Sequence, residues 1–328
     1  MLYKSNILAL VGGGYYPKFS LNKITIYDHH QGKIVSQIRF NSEVLKVKIR
    51  KDVIIGVLID KIYIINIVTL ETIDVLETYN NPQGIFSISN LSNELFIAFP
   101  YAKSKGKVQV ENYLLTLDEN KKNEQKIINA HESKIAYISM NNEGTILATA
   151  SDKGTLIRIF LLSKFDHPIT VLKRGSKNAK INCLVFDLNN EIIGCTSDAG
   201  TTHVFNIAEI NKLIVDKKNE DQKEESKEEN INKKDKMKSS KNSIKININE
   251  RSFGKFKIHE TQSILGFYQP NRMMLITSKG NFYKVIYDTK EGCNKLEEGI
   301  IDINKWYDNN IYIDNIFMSN HFSKIFYK

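Results

Sequence analysis

Short apolar runs, rich in β-branched and aromatic residues, alternate along the chain with turns rich in Gly, Asn and Asp. Six segments share one pattern, in which an alternating run is followed by a turn and then by a second run. These segments begin near Ile7, Val53, Leu95, Ile146, Ile192 and Met274. Alternation with a period of two is typical of half-buried strands, and amphipathic helical patterns are scarce. The pattern predicts an all-β protein.

The spacing of the six segments predicts a propeller. Successive starts lie 46, 42, 51, 46 and 82 residues apart, and repeats of about 40–45 residues are typical of four-stranded propeller blades. Asp-Lys-Gly at 152–154 and Asp-Ala-Gly at 198–200 predict tight turns between paired strands, because glycine tolerates positive φ. The usual Trp-Asp ending is absent. We therefore predict one domain over 1–328, a degenerate WD-type β-propeller with six visible blades, the first without its innermost strand.

The last interval exceeds 46 residues by 36, and the excess has a visible source. Residues 217–243 are dominated by Lys, Glu, Asn and Ser, which offer little to bury. We predict a charged, disordered insertion over 211–249, within the blade that carries Ser197 and His203. Its first half, 216–229, has net charge −3, and 233–241 has net charge +4. The basic half is suited to an anionic surface, and a low-complexity insert without function is the alternative.

Length and composition exclude several classes. A chain of 328 residues with 41% hydrophobic residues can bury a large core, which excludes wholesale disorder. The longest apolar run, 7–17, is too short for a spanning helix, which needs about 20 residues. Cys183, Cys195 and Cys293 are odd in number and form no CxxC pair, which favours a reducing compartment and argues against zinc. The sequence predicts a soluble intracellular protein without a metal or cofactor.

Charge and motifs bear on the kind of partner. Of the net +9 (46 basic minus 37 acidic residues), the segment 216–241 carries only +1, so the rest of the chain carries about +8. A basic folded body suits phospholipid head groups, nucleic acid or an acidic protein patch, and charge does not choose among them. No GxSxG, HExxH or phosphate-cradling glycine loop is present, so we predict no enzyme.

Several segments, in this order, resemble the PROPPIN family, the WIPI-type β-propellers that bind phosphoinositides in autophagy. The segments are LALVGGG…PKF…NKITIYD (8–28), NPQG (81–84), AFP (98–100), AHESKIA (130–136), the stretches 146–160 and 197–205, and ERSFGKFKI (250–258). The resemblance covers nearly the whole chain outside the charged insertion. The family hallmark Phe-Arg-Arg-Gly reads Leu-Lys-Arg-Gly at 172–175. Family propellers have seven blades and six are visible here. Either the first blade is missing from this sequence or the propeller closes differently, and we favour the first.

The resemblance implies two shallow phosphoinositide pockets on the rim, one on either side of the paired basic motif. Arg can form a bidentate fork to phosphate and Lys supplies only a point charge, so the first pocket is expected to be the weaker. A histidine in either pocket would add charge if bound phosphates raised its pKa. Carried over by position, the first pocket contains His131, Ser133, Ser151, Thr155, Arg158 and Lys173, and the second contains Arg174, Ser197, Thr201 and His203. The corresponding membrane loop contains Lys233, Lys234, Lys236, Met237 and Lys238.

The implied function is that of a monomeric effector for phosphatidylinositol 3-phosphate, with the 3,5-bisphosphate as a further ligand. Such a protein is cytoplasmic and is recruited peripherally to phagophore, autophagosomal, endosomal or vacuolar membranes. The implied protein partners are a lipid-transfer protein or the machinery that conjugates ubiquitin-like proteins to lipid. Two pockets on one rim would act together and raise avidity beyond that of either alone.

The same residues also have bland interpretations. The serines and threonines stand where WD-type blades place structural hydroxyls, and His131 stands where many propellers keep a histidine for internal hydrogen bonds. Lys173 and Arg174 could be a solvated surface pair. The first alternative function is therefore a WD-type protein adaptor without a lipid role. A nucleic-acid-associated propeller ranks lower, because basic residues are not clustered with exposed aromatic residues.

Overall fold

The structure is a computed structural model that describes residues 6–14, 16–115, 120–163, 167–210, 212 and 247–300. Its strands form six sheets, each built on an antiparallel meander, which we number as blades one to six in chain order. Blade one contains β1 (Ile7–Val11), β2 (Lys23–Asp28) and β3 (Lys33–Arg39). Blade two contains β4 (Lys46–Ile49), β5 (Val53–Val57), β6 (Lys61–Asn66) and β7 (Thr72–Glu77). Blade three contains β8 (Ser87–Ile88), β9 (Leu95–Pro100), β10 (Lys107–Leu115) and β11 (Asn120–Asn129).

Blades four to six contain the remaining strands. Blade four contains β12 (Ile135–Met140), β13 (Ile146–Ser151), β14 (Leu156–Leu161), β15 (Thr170–Lys173) and, as a fifth strand, β19 (Asn247–Arg251). Blade five contains β16 (Ile181–Phe186), β17 (Ile192–Ser197), β18 (Thr201–Asn206) and β20 (Gly254–Lys257). Blade six contains β21 (Ser263–Gln269), β22 (Arg272–Thr277), β23 (Asn281–Asp288) and β24 (Gly292–Ile300). The predicted all-β propeller with six visible blades is confirmed.

The hydrophobic core lies between neighbouring blades, because alternate residues of each strand face opposite neighbours. In β5, for example, Ile54 packs toward blade one, whereas Val53 and Ile55 pack toward blade three. Five such clusters join the six described blades in sequence. Burial of apolar surface, worth about 25 cal/mol per Å², therefore holds each blade to the next.

The two predicted glycine turns are present. Gly154, with φ of +59°, ends the turn between the paired strands β13 and β14, and Gly200, with φ of +68°, ends the turn between β17 and β18. Both backbone conformations are ones that side-chain-bearing residues rarely adopt. These turns set where the strand ends of blades four and five lie on the rim.

Among the described residues, blade one has three strands, with β1 at one edge of the sheet. The insertion predicted over 211–249 falls mostly at 211 and 213–246, which lie outside the described residues, as do the five residues predicted for the membrane loop. Beyond it, β19 pairs in parallel with β15 of blade four before the chain returns to blade five as β20. This excursion brings the segment 250–257 across the junction of the two blades.

No helix in the described ranges is long and apolar enough to cross a membrane. The same ranges contain no group of three or more His, Cys, Asp or Glu residues placed to hold a metal ion.

Candidate functional site

The paired basic residues end β15, the outer antiparallel strand of blade four. Lys173 is the last residue of the strand and lies opposite Leu156 of β14, which places it on the same blade face as Arg158. Arg174 follows on the opposite face, where it influences the pKa values of Cys195 and His203 in blade five. Lys173 therefore lies at the junction of blades three and four, and Arg174 lies at the junction of blades four and five.

At the junction of blades three and four, the structure brings His131 and Arg158 together. Nη1 of Arg158 donates to the carbonyl oxygen of Ala130 at 2.6 Å and lies 3.4 Å from Nδ1 of His131. Nε2 of His131 is 3.0 Å from Oγ1 of Thr149. Thr149, which sequence analysis missed, therefore fixes the ring whose other nitrogen faces the guanidinium.

The remaining residues of the predicted first pocket lie around this pair without a common contact. Ser133 is half-buried in the segment that leads into β12, and Ser151 is buried at the end of β13. Thr155 is half-buried just before β14, and its carbonyl oxygen accepts hydrogen bonds from the backbone of Arg174 and Gly175. The structure thus ties the turn carrying Thr155 to the paired basic motif through the backbone.

At the junction of blades four and five, Arg174 is buried, and its guanidinium is held by backbone carbonyls. Nε donates to the oxygen of Gly154 at 2.6 Å, and Nη2 donates to the oxygen of Lys177. Only 7% of the residue is exposed. The side chain therefore has a fixed position rather than that of a solvated surface charge.

His203 and Ser197 of the predicted second pocket are also buried, and Thr201 is half-buried at the start of β18. Nδ1 of His203 lies 3.1 Å from Oγ of Ser252. Oγ of Ser197 is buried and makes no hydrogen bond with the described residues. A buried hydroxyl without a partner carries a free-energy cost that a ligand oxygen could offset.

Ser252 and Lys255, from the segment after the insertion, join this junction, whereas Arg251 from the same segment shares the face of Lys173 at the first junction. The sequence analysis assigned none of the three. Arg251 of β19 lies opposite Lys173, Lys255 of β20 lies opposite His203, and Ser252 between them contacts His203. The only sequence feature that pointed to these residues was the segment ERSFGKFKI (250–258), which resembles a segment of the PROPPIN family. Together with Arg174, Ser252 and Lys255 add hydroxyl and cationic donors around His203, the groups that bind phosphate oxygens.

Burial and neighbouring positive charges keep both histidines neutral at physiological pH. Burial lowers the pKa of His131 to about 4, helped by the charge of Arg158. Burial lowers the pKa of His203 to about 4 as well, helped by Lys255 and Arg174. Each histidine therefore acts as a neutral hydrogen-bonding group in this structure, and the expectation that bound phosphates raise its pKa stays a prediction.

The lowered pKa values of His131 and His203 make the stability of the fold depend on pH. Because each folded-state pKa lies below the ordinary 6.5, the unfolded chain takes up protons below that pH that the folded chain does not. Stability is therefore full above about pH 6.5 and falls as the pH is lowered toward about 4. Between about pH 7 and about pH 5, we expect a loss of up to about 2 kcal/mol per histidine. Melting curves should show a flatter pH dependence in the His131→Gln, His203→Gln double variant, and an unchanged dependence would contradict this assignment.

The six sheets define a WD-type β-propeller. The PROPPIN family profile matches residues 4–224, and the chain belongs to this family. Members of the family are non-enzymatic effectors, in agreement with the prediction that the chain is not an enzyme.

Particular relatives extend this likeness over most of the chain. Autophagy-related protein 18e of Arabidopsis thaliana is 30% identical over 311 residues, which cover 90% of this chain and 74% of the relative. Further curated relatives are matched over only 44% to 62% of their own length.

Among solved structures, Kluyveromyces lactis Hsv2 matches with a TM-score of 0.68 and 17% identity, covering 92% of this chain and 85% of that one. KlAtg21, solved in complex with the coiled coil of AgAtg16, matches with a TM-score of 0.67 and 19% identity, covering 92% and 84%. At these identities, the likeness to solved structures supports the propeller fold.

Proposed function

We propose that the two junctions flanking blade four bind phosphoinositide headgroups, with phosphatidylinositol 3-phosphate as the main ligand and the 3,5-bisphosphate as a second. The observation that supports this most is the divergence of Lys173 and Arg174, each toward a junction that also contains a neutral histidine and hydroxyl groups. Fixed cations suit a phosphomonoester, and neutral donors suit both phosphate and ring hydroxyl oxygens.

The second junction is proposed to be the stronger site. Arg174 is held in place by two backbone carbonyls, so little rotamer entropy would be lost when its remaining N–H groups meet a phosphate. Lys255 lies opposite His203 in the same junction, and Oγ of Ser197 is buried there without a hydrogen-bond partner among the described residues. At the first junction, Arg158 already donates to Ala130, and Lys173 offers a point charge without a fork.

Binding at both junctions would recruit this protein from the cytoplasm to phagophore, endosomal or vacuolar membranes, where two modest sites act through effective concentration. The rest of the surface would then recruit proteins of autophagy, either a lipid-transfer protein or the conjugation machinery for ubiquitin-like proteins. KlAtg21, which is similar in fold, is solved in complex with the coiled coil of AgAtg16, so a coiled-coil protein is a further candidate partner.

The double variant Lys173→Thr, Arg174→Thr tests the proposal. Because it removes one charge-assisted contact at each junction, vesicle binding should weaken by about a hundredfold. A matched control, Lys18→Thr with Lys33→Thr, removes the same charge from exposed positions on blade one. The control should bind nearly as well as the unsubstituted chain, and both variants should keep their secondary structure. Unchanged vesicle binding by the folded double variant would instead favour a protein adaptor without a lipid role.

A further inference from the structure

The innermost position of blade one is open among the described residues. The chain runs from β3 through residues 40–45 directly into β4, the first strand of blade two, so β3 is the last strand of blade one. The fourth strand of this blade therefore belongs beside β1, which pairs with β2 on its other side. First strands of neighbouring blades contact one another, as β12 does with β16 and β16 with β21. Because blades radiate from a central axis, these first strands lie nearest to it, and so does the place beside β1.

Alternate backbone groups of β1 are directed toward this open place. The N–H of His29 donates to the oxygen of Asn6, and these two residues continue the register of β1 with β2. In an antiparallel ladder, pairs that exchange hydrogen bonds alternate with pairs that do not. The N–H and C=O groups of Ala9 and Val11 therefore point away from β2, to an edge where no described strand lies. Edge groups of this kind form a template for another strand.

The two end faces of the row of blades are apolar. On blade one, Ile24 and Ile26 pack toward blade two. Leu8, Leu10 and Tyr27 share the opposite face, and all three are half-buried. On blade six, the face turned away from blade five carries five large apolar side chains, those of Ile264, Met274, Ile276, Phe282 and Ile286. No apolar cluster of the described residues contains members of both blade six and blade one, although five clusters join all the other neighbouring blades.

The chain that follows blade six leads to this position. In the described blades, connections of five to nine residues run from the last strand of each meander to the first strand of the next. The strand β24 ends blade six at Ile300, and residues 301–328, which lie outside the described residues, come next. The first strongly apolar run among them, 311–318, begins after a connection of ten residues.

The composition of this segment calls for burial. Fourteen of the 28 residues over 301–328 are apolar or aromatic, and six of the eight over 311–318 are. The charged insertion provides the contrast, since only two of its 27 residues over 217–243 are apolar. A segment as apolar as 301–328 gains free energy by leaving water, and the two apolar end faces are next along the ring.

We propose that residues 301–328 close the ring between blades six and one, with the run 311–318 as the innermost strand of blade one. Its backbone would pair with the edge groups of Ala9 and Val11, and its apolar side chains would pack on the end faces that carry Leu10 and Met274. The docking site is thus an intramolecular one, and its occupant is the C-terminal segment of the same chain. The headgroup junctions flank blade four and play no part in it.

Hydrogen exchange of the full chain, measured by mass spectrometry of its peptides, tests the proposal. Peptides covering 311–318 should exchange about tenfold or more slowly than peptides from 217–243, because strand pairing protects backbone N–H groups. Leu10→Asp puts a charge on the end face of blade one and should bring the exchange of 311–318 close to that of 217–243. Leu188→Asp is the matched control, since Leu188 is 69% exposed in the turn between β16 and β17, and it should leave the exchange of 311–318 unchanged.

A second variant makes the test independent of the stability of blade one. Ile311→Asp with Ile313→Asp alters only the C-terminal segment, and it should speed the exchange of β1, because Ala9 and Val11 would lose their pairing partner. Equal exchange of 311–318 and 217–243 in the unsubstituted chain would overturn the proposal. It would also be overturned if sedimentation showed a dimer and the protection of 311–318 disappeared as that dimer dissociated on dilution, since a second copy would then cover the end faces.

Discussion

Replacing Arg50 by alanine is expected to lower the free energy of unfolding by about 3–5 kcal/mol, the usual cost of breaking a buried charged network. Arg50 is 1% exposed and spans the junction of blades two and three. Its Nη1 donates to the oxygen of Glu94 at 2.8 Å, its Nη2 donates to the oxygen of Ser92 at 2.7 Å, and its Nε lies 3.0 Å from Oδ1 of Asp52. Truncation would leave these partly buried acceptors without their charged donor.

Chemical denaturation followed by circular dichroism measures this effect. Arg272→Ala is the matched control, because Arg272 is exposed at the start of β22, and it should change stability by about 0.5 kcal/mol or less. A loss for Arg50→Ala no larger than that of the control would show that the carbonyls of the loop 89–94 find other partners. The clamp between blades two and three would then be unimportant for stability.

Gly154→Ala is expected to have the second large effect, because it should change both the stability of the fold and the position of the Arg174 side chain. Gly154 has φ of +59°, and a Cβ there would lie 1.8 Å from the carbonyl oxygen of Ala179, a backbone atom that cannot move aside cheaply. Strain at such positions costs about 1–3 kcal/mol before the clash is added. Because the oxygen of Gly154 also accepts the hydrogen bond from Nε of Arg174, the substitution should both destabilise the fold and displace the cation.

Gly175→Ala provides the matched control, since a Cβ at Gly175 meets nothing within 4 Å and the residue adjoins the same basic motif. It should leave both the melting temperature and vesicle binding close to those of the unsubstituted chain. If Gly154→Ala melted at the same temperature as Gly175→Ala, the tight contact between blades four and five would be contradicted.

The blades could be predicted because each is local in sequence. Ile146–Ser151 and Leu156–Leu161 are short, largely apolar runs on either side of a glycine turn, so composition and turn chemistry agree. The excursion of β19 could not be predicted, because Asn247–Arg251 pairs with a strand more than seventy residues earlier and lies next to a charged segment. Long-range parallel pairing of this kind leaves no local periodicity to read.

The candidate site was predictable only in part for the same reason. His131, Arg158, Lys173 and Arg174 came from resemblance to family motifs, and the structure places the first two 3.4 Å apart. Thr149 and Lys255 were missed because their roles depend on the register between strands, which places Thr149 opposite Arg158 and Lys255 opposite His203. The lowered pKa values of the histidines follow from burial, which the sequence did not disclose.

The most direct test of the central claim is co-sedimentation of the unsubstituted chain with vesicles containing phosphatidylinositol 3-phosphate, compared with vesicles containing unphosphorylated phosphatidylinositol, at low and high salt. Two headgroup sites predict selective pelleting with the 3-phosphate that persists at high salt, because partly buried contacts such as those of Arg174 are screened less than surface charges. Equal pelleting with both lipids that disappears at high salt would contradict the claim and reduce the interaction to a basic surface.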